Sequence, residues 1–435
     1  LESWKVEVGA LFGHYNISAF EHYNKKHYNI LTFKHYNKIN MKIAMLGSGF
    51  IARFYADSLA AQRRKDILVS VYSRSAERAE KFAKDYGLPH FSNNLDEVVG
   101  NPEVDVVVIA LSNELHLAAV EACAKAGKHV LCTKPLGRTG AEAKQMMEMV
   151  EKAGVMGGYL EDLCYTPKFL KSLASVKAGS IGRVLWAKSR ETHPGPHSDW
   201  FWNLEQSGGG AIVDLGCHCI EISRNFIGKD IKPVEVMCWA ATQVHPIAAE
   251  DHALGWVKYA NGTIGQFEVS WCFRGGMDLR DEVMGSEGTI WLNNFLRTGF
   301  DMFSTGKGNN YVAEKAESSS GWLFPVGDEV NELGYNHMFT DMFDAIDQKR
   351  EPSENFYDGY VVNCIIDAAY KSAKSRNWEP VQIDDWRGRT DVTEGHEFAS
   401  YDDTYYLIKE EVLPNGEKKL ILKNKATGEV VRRDL

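Results

Sequence analysis

The chain is expected to fold as an α/β Rossmann domain followed by an α+β domain with a large, mainly antiparallel open sheet. Three features predict this. Ile43 to Leu46 is a short apolar run feeding Gly47-Ser48-Gly49-Phe50-Ile51-Ala52, and apolar residues then recur at helical spacing through Ala60. From there strand-like and helix-like stretches alternate, the rhythm of a parallel sheet with crossover helices. After Gly157 the strands change to alternating apolar and polar residues, as in a sheet with one open face.

The first element justifies the first domain. A strand, then Gly-x-Gly-x-x-Ala, then a helix is the fingerprint of a dinucleotide-binding βαβ unit. Gly47 permits the tight turn and Gly49 lets the backbone approach a pyrophosphate, with Phe50 and Ile51 opening the helix. Its first N–H groups and positive dipole end face the phosphates. The second strand, Ile67 to Tyr72, ends in Ser73-Arg74 before the helix Ala76 to Tyr86, where a ribose-binding Asp or Glu would usually stand. Ser73 can bond the adenosine ribose, and Arg74 can stack on adenine or meet a 2′-phosphate, so NAD is the expected cofactor with NADP still open.

Val104 to Leu111 reads as a buried parallel strand, followed by Ser112-Asn113-Glu114-Leu115-His116 and the helix Leu117 to Ala126. His129 to Cys132 is the next strand and runs into Thr133-Lys134-Pro135-Leu136. Ser112, Asn113, His116 and Lys134 therefore fall at the C-terminal ends of parallel strands, where such sheets bind ligands. Beyond Gly157, strands are expected at Val184 to Glu191, Val234 to Thr242, His252 to Tyr259, Gly262 to Trp271 and Glu282 to Leu292. Asn261-Gly262 is a hairpin signal. Helices are expected at Pro167 to Ala178, Ala211 to Phe226, Tyr335 to Gln348 and Gly359 to Ser375, and a small β-meander over 387–435. The resulting divisions are 41–160, 161–386 and 387–435. Residues 1–40, in which His-Tyr-Asn recurs, carry no clean period and are expected to be an expression-derived or upstream leader.

Composition bounds the rest. The chain has 435 residues, 44% hydrophobic and 25% charged, enough for two or three domains with a sizeable core. A net charge of -10 leaves no basic face for a nucleic-acid partner, and no apolar run reaches membrane-span length. Eight cysteines without a C-x-x-C pair read as reduced thiols of a cytoplasmic protein.

Gly208-Gly209-Gly210-Ala211-Ile212-Val213-Asp214-Leu215-Gly216-Cys217-His218 places Asp214 and His218 four residues apart, on one face of a helix. A carboxylate and an imidazole so spaced can converge on one hydroxyl, with His218 as general base. Cys217-His218-Cys219 is not expected to bind a metal, because adjacent residues point to different sides of a helix. The loop Glu191-Thr192-His193-Pro194-Gly195-Pro196-His197-Ser198-Asp199-Trp200-Phe201-Trp202 interleaves polar groups with rings. It suits a sugar, and His193, His197 and Trp202 are its candidates. Glu161, Asp162 and Tyr165 follow the last Rossmann strand and are expected to line the same cleft, with Tyr335 and His337 as weaker candidates.

With the Gly-rich turn, Lys134-Pro135, the Gly208–His218 segment, Glu250-Asp251-His252, Gly285-Ser286-Glu287-Gly288-Thr289 and Asp367 to Ala373, the chain resembles the glucose-fructose oxidoreductase / inositol dehydrogenase (Gfo/Idh/MocA) family over residues 41 to 383. The resemblance implies an NAD(P)-dependent dehydrogenase of a secondary alcohol in a sugar, glycoside or cyclitol. It implies that Lys134 is the lysine of the family's Glu-Lys-Pro motif, lying between nicotinamide and substrate, with Thr133 in place of the Glu. A buried lysine there can have its pKa lowered enough to join proton transfer. Asp214 would orient substrate or Lys134. Within the family, the Glu161-Asp162 stretch and the 193–197 loop look most like members oxidising C3 of a glucosyl group. Relatives that hydrolyse glycosides through a transient redox step, and non-catalytic regulators, are the alternatives. The family also implies a homo-oligomer with an even number of subunits, formed on an open sheet face carrying Trp239, Trp256, Phe267, Trp271 and Trp291. The tail would reach a neighbouring subunit.

Overall fold

A computed structural model describes residues 40–62, 65–295, 300–306, 311–392 and 398–435; the expected leader lies outside them, Asn40 apart. The first domain alternates β1 (Lys42–Leu46), α1 (Phe50–Gln62), β2 (Ile67–Tyr72), α2 (Ala76–Tyr86), β3 (His90–Ser92), α3 (Leu95–Val99), β4 (Val106–Ile109), α4 (His116–Lys125), β5 (His129–Thr133), α5 (Gly140–Ala153) and β6 (Gly157–Leu160). Its strands form one parallel sheet in the order β3-β2-β1-β4-β5-β6. The order reverses between β1 and β4, and the crevice above their C-terminal ends is where a doubly wound sheet takes its ligand. β4 is buried at every position, as its unbroken Val-Val-Val-Ile run requires. The short β3 and α3 were not legible as elements, being too brief to show a period.

The second domain runs through α6 (Pro167–Lys177), β7 (Val184–Thr192), α7 (Leu204–Ser207), α8 (Cys217–Ile227), β8 (Pro233–Ala241), β9 (His252–Tyr259), β10 (Ile264–Ser270), β11 (Asp278–Gly285) and β12 (Thr289–Asn293). A small hairpin of β13 (Met302–Thr305) and β14 (Ser320–Leu323) follows, then α9 (Glu329–Glu332), α10 (Tyr335–Gln348), α11 (Phe356–Ser375) and the short β15 (Glu379–Pro380). Seven strands pair in the order β12-β11-β7-β10-β9-β8-β15, all antiparallel except the central β7–β10 pair. The expected strand Glu282 to Leu292 is two: the Gly285 N–H donates to the Gly288 carbonyl at 2.8 Å and closes a hairpin between β11 and β12. A Cβ on Gly285 would lie 2.0 Å from the Ile181 carbonyl oxygen, so the turn needs glycine there.

Helices α8 and α11 cover one face of this sheet. Phe267 and Trp271, expected on the open face, are fully buried beneath the helices. They belong to the inward set because residues of one face recur every second position, and Gly265, Phe267 and Val269 of β10 are that set. Trp239, Trp256 and Trp291 are on the surface, with 45%, 40% and 74% of their area exposed. The tail folds as the meander β16 (Tyr405–Val412), β17 (Lys418–Asn424) and β18 (Val430–Asp434), closed on Leu420 and Leu422. No helix among the described residues is long and apolar enough to cross a membrane.

Candidate active site

A cleft of about 690 Å³ runs from the β1–α1 turn to the β7 loop and is shared by both domains. At its Rossmann end Gly47 has φ 122°, and an added Cβ would meet the Ala110 carbonyl oxygen at 2.2 Å. This close approach to the end of β4 excludes any other residue. Above Gly49 only the Arg78 guanidinium comes near, at 4.0 Å, leaving room for a phosphate against the first turn of α1. The Ser48 hydroxyl donates to the Ser73 hydroxyl at 2.9 Å, tying the first two loops together. Ser73, Arg74, Ser75 and Arg78 line this end without a carboxylate. Ser112 and Asn113 line it from the β4 side, where the Asn113 amide donates to the Ser207 carbonyl at 2.8 Å. These groups fit a dinucleotide: a glycine cradle, a helix N-terminus, and hydroxyl and guanidinium donors at the adenosine end.

His116 is placed elsewhere. It is fully buried, with Nδ1 3.1 Å from the Pro135 and Leu136 carbonyls and Nε2 3.1 Å from that of Leu111. It clasps the loop after β4 to the loop after β5 and has no surface in the cleft.

The centre of the site rests on a local irregularity. Ile212–Gly216 is a π-helical turn leading into α8. The three glycines before it are demanded by packing: a Cβ on Gly208 would meet Arg138, on Gly209 the Tyr370 hydroxyl at 2.0 Å, and on Gly210 the Glu250 carbonyl oxygen at 1.8 Å. The Ile212 N–H then donates to Glu250 Oε1 at 2.7 Å, and the Tyr370 hydroxyl donates to the same oxygen at 2.9 Å. Such wide turns recur at functional sites. Here it carries Asp214 and His218 to the cleft wall together, as their spacing predicted.

The Lys134 ammonium donates to the Asp214 carbonyl at 2.7 Å and to its Oδ1 at 2.9 Å. The Trp271 indole N–H donates to Oδ2 at 3.1 Å, and His193 Nε2 lies 4.0 Å from that oxygen. Burial alone would raise the Asp214 carboxyl, but the Lys134 ammonium overrides it and holds the group down at about 2. Burial would likewise lower Lys134; the negative charge of Asp214 outweighs it and keeps the ammonium well above its usual range. The expected lowering of this lysine does not occur, because a carboxylate is bonded directly to it. Thr133 bonds the buried Tyr55 hydroxyl at 2.8 Å instead of supplying the carboxylate its position usually carries.

Glu161 and Tyr165, expected in the cleft, do not line it. Glu161 is fully buried behind His218, its Oε1 in close contact with Nδ1 of that ring. Desolvation pushes the Glu161 carboxyl up to about 8 and the His218 imidazole down to about 3, so the ring is neutral. Tyr165 donates to Asp341 Oδ2 at 2.9 Å and accepts from the Glu354 N–H, a link between α10 and the start of α11. Asp162 does line the cleft, and burial raises it to about 7.

In the β7 loop, His193 and His197 face the cleft and Trp202 does not. His193 Nδ1 accepts the Gly195 N–H at 3.0 Å, which leaves Nε2 as the protonated nitrogen toward Asp214. His197 packs on Phe50, ring centroids 4.7 Å apart, and burial lowers it to about 4. Trp202 packs on Trp271 and His245, one layer back, while Trp200 and Phe201 take the lining position. Tyr335 lines the cleft and His337 is exposed away from it. Lining groups the sequence did not mark include Glu191, Arg78, Glu314 and Lys315. Glu191 closes the alternating β7 pattern and had a signal, an acid where an apolar residue was due. Glu314 and Lys315 lie in a segment with no periodic signal.

Known proteins resemble the chain over both domains. The Gfo/Idh/MocA profile described as an oxidoreductase family with an NAD-binding Rossmann fold matches residues 41–159. The GFO/IDH/MocA C-terminal domain matches residues 169–291. Levoglucosan dehydrogenase of Pseudarthrobacter phenanthrenivorans is 25% identical, over 79% of this chain and 98% of its own. The 1,5-anhydro-D-fructose reductase of Ensifer adhaerens is 31% identical over 58% and 75%. Among solved structures, GenD2 from gentamicin A biosynthesis in complex with NAD superposes with a TM-score of 0.74 at 27% identity, over 79% of this chain and 97% of its own. A levoglucosan dehydrogenase complex with NADH shares the fold, with a TM-score of 0.68 at 23% identity over 79% and 100%.

Proposed function

The chain belongs to the Gfo/Idh/MocA oxidoreductase family, and from that premise we propose that it oxidises a secondary alcohol of a neutral sugar, glycoside or cyclitol. Relatives named as levoglucosan and myo-inositol dehydrogenases support this substrate class. Bound NAD supplies the hydride acceptor. The observation that carries the reading is the paired arrangement at one wall of the cleft: Lys134 on Asp214, and His218 on Glu161.

Lys134, held charged by Asp214, donates to the reacting oxygen and stabilises negative charge developing there. His218 offers Nε2 to the hydroxyl proton, since Nδ1 is taken by Glu161. The buried site disfavours an imidazolium, so the proton gained at Nε2 is matched by loss of the Nδ1 proton to Glu161 Oε1. A carboxyl raised to about 8 takes that proton only when it is ionised, so the relay runs in the fraction of molecules with Glu161 deprotonated, which grows as pH rises toward about 8. Asp214 keeps its charge and orients the lysine. Tyr335, Trp200 and Phe201 offer rings for the apolar C–H faces of a sugar, beside His193 and His197. Oxidation at C3 of a glucosyl group is the finer assignment, and a cytoplasmic homo-oligomer the expected setting.

The test is a panel of levoglucosan, myo-inositol, scyllo-inositol, D-glucose and methyl β-D-glucopyranoside with NAD or NADP, followed by nicotinamide absorbance and product mass. Reduction of the cofactor with a product two hydrogens lighter is expected. Free sugar released without net cofactor reduction would instead identify a redox-assisted glycoside hydrolase. No conversion of any member, with cofactor binding intact, would refute the assignment.

A further inference from the structure

Lys315 stands apart from the groups just described. It reaches the catalytic cleft from the segment 311–319, which lies outside both family profiles and contributes none of the expected site residues. Four contacts pin that segment beside the cleft. The Glu317 carboxylate pairs with Arg274 at 2.6 Å and accepts the Gly275 N–H at 2.8 Å. The Glu314 N–H donates to Glu329 Oε1 at 2.5 Å, and the Tyr311 hydroxyl donates to Glu329 Oε2 at 2.7 Å.

At the bend between these anchors Lys315 itself adopts φ 61°, a left-handed conformation unfavourable for a side-chain-bearing residue. A glycine would relieve that cost. The lysine there instead turns its side chain into the cleft and donates to the Gly195 carbonyl at 3.1 Å, on the His193–His197 loop. One of its three N–H donors is thus used, and two remain. It shares the cleft wall with Asp214, Glu191 and Glu314, and also borders an adjoining chamber of about 270 Å³ lined by Phe50, His197 and Tyr311.

The charges around it select a ligand class. Asp214 is already paired with Lys134, and the Glu314 carboxyl offsets part of the Lys315 charge, so the cleft offers no unmatched charge to an ionised substrate. Facing it, Glu191 is buried with Oε2 lacking any hydrogen-bond partner. A ring hydroxyl both donates and accepts, and so suits an ammonium on one side and a carboxyl on the other.

We propose that Lys315 is a specificity-determining residue that donates to one hydroxyl of a neutral sugar ring, away from the reacting carbon, and reports whether that hydroxyl is present. This rests on the sugar dehydrogenase reading above and deepens it. Burial lowers the Lys315 pKa, with the Lys134 charge adding to it, against the nearby Glu314, Asp214 and Glu191 carboxyls that raise it.

The test uses the full chain with NAD, K315M and K315R, and whichever panel sugar wild type converts together with its monodeoxy analogues. NADH binding by fluorescence confirms that each variant is folded. K315M is expected to raise KM at least about tenfold, the loss of one charge-assisted hydrogen bond. Removing one particular ring hydroxyl should cost wild type a similar factor and K315M almost nothing further, a coupling that a merely structural lysine would not produce. K315R should recover part of the loss. An unchanged KM in K315M, or a penalty spread evenly over every deoxy analogue, would overturn the role of Lys315 while leaving the dehydrogenase reading intact. Wild type that binds NADH but neither binds nor converts any panel sugar would overturn both.

Discussion

Replacing Lys134 by Met removes the cation that holds Asp214 ionised, and both stability and turnover should register it. Asp214 sits at about 2, against about 3.9 for an unperturbed aspartate. That gap is worth roughly 2–3 kcal/mol of folding free energy. Because the folded value is depressed, this contribution is fully present above about pH 4 and is lost as pH falls through about 2. In K134M the carboxylate remains buried beside the Trp271 indole and a neutral His193, with Lys315 as the nearest remaining cation on the cleft wall. Breaking a buried pair from one side costs about 3–5 kcal/mol. Urea unfolding at pH 7 without cofactor should show a loss of that order, and K134M/D214N should recover part of it by removing the stranded charge. Turnover of K134M should fall at least about 100-fold, since the reacting oxygen loses its charged donor. A midpoint shift worth less than about 1 kcal/mol, together with near-normal turnover, would refute both the buried pair and its role.

Other consequences follow from the same groups. If Glu161 receives the relayed proton, kcat should climb as pH rises toward about 8, and E161Q should abolish that limb and lower kcat by about 100-fold; an unaltered pH profile in E161Q would exclude the relay. Asp281 accepts from the Ser189 hydroxyl at 2.7 Å, and burial raises it to about 7. A raised carboxyl contributes stability below its unfolded value near 4 and loses it as pH rises through the folded one. D281N should therefore melt higher than wild type at pH 8 and little differently at pH 4.5, and equal melting at pH 8 would contradict this. The exposed Trp239, Trp256 and Trp291 call for a second copy against the sheet, so light scattering of the full chain should give an even-numbered oligomer. A variant truncated after Asp385 tests the tail: a smaller or less stable assembly is expected if 387–435 reaches a neighbour, and unchanged size and stability would show that it does not.

The parallel βα rhythm of the first domain and the chemistry at its strand ends were readable because each rests on local pattern. Gly47 had to be glycine, Val106 to Ile109 had to be buried, and Lys134 had to stand at a strand's C-terminal end, all from neighbours in sequence. Asp214 and His218 were readable as a pair because a helical repeat brings residues four apart to one side.

What only tertiary structure decided were the partners each group meets across the fold. Glu161 became the buried carboxyl behind His218 and Lys134 stayed charged, because contacts spanning 57 and 80 residues fix their surroundings. Trp202 and Trp200 exchanged places at the cleft because Trp271 and His245 offered a layer for one of them. Lys315 entered the site from a segment without period or motif. Sequence period sets which face a residue takes on its own element. Desolvation and charge pairing depend on what another element places opposite it, and those two effects set the protonation states on which this site depends.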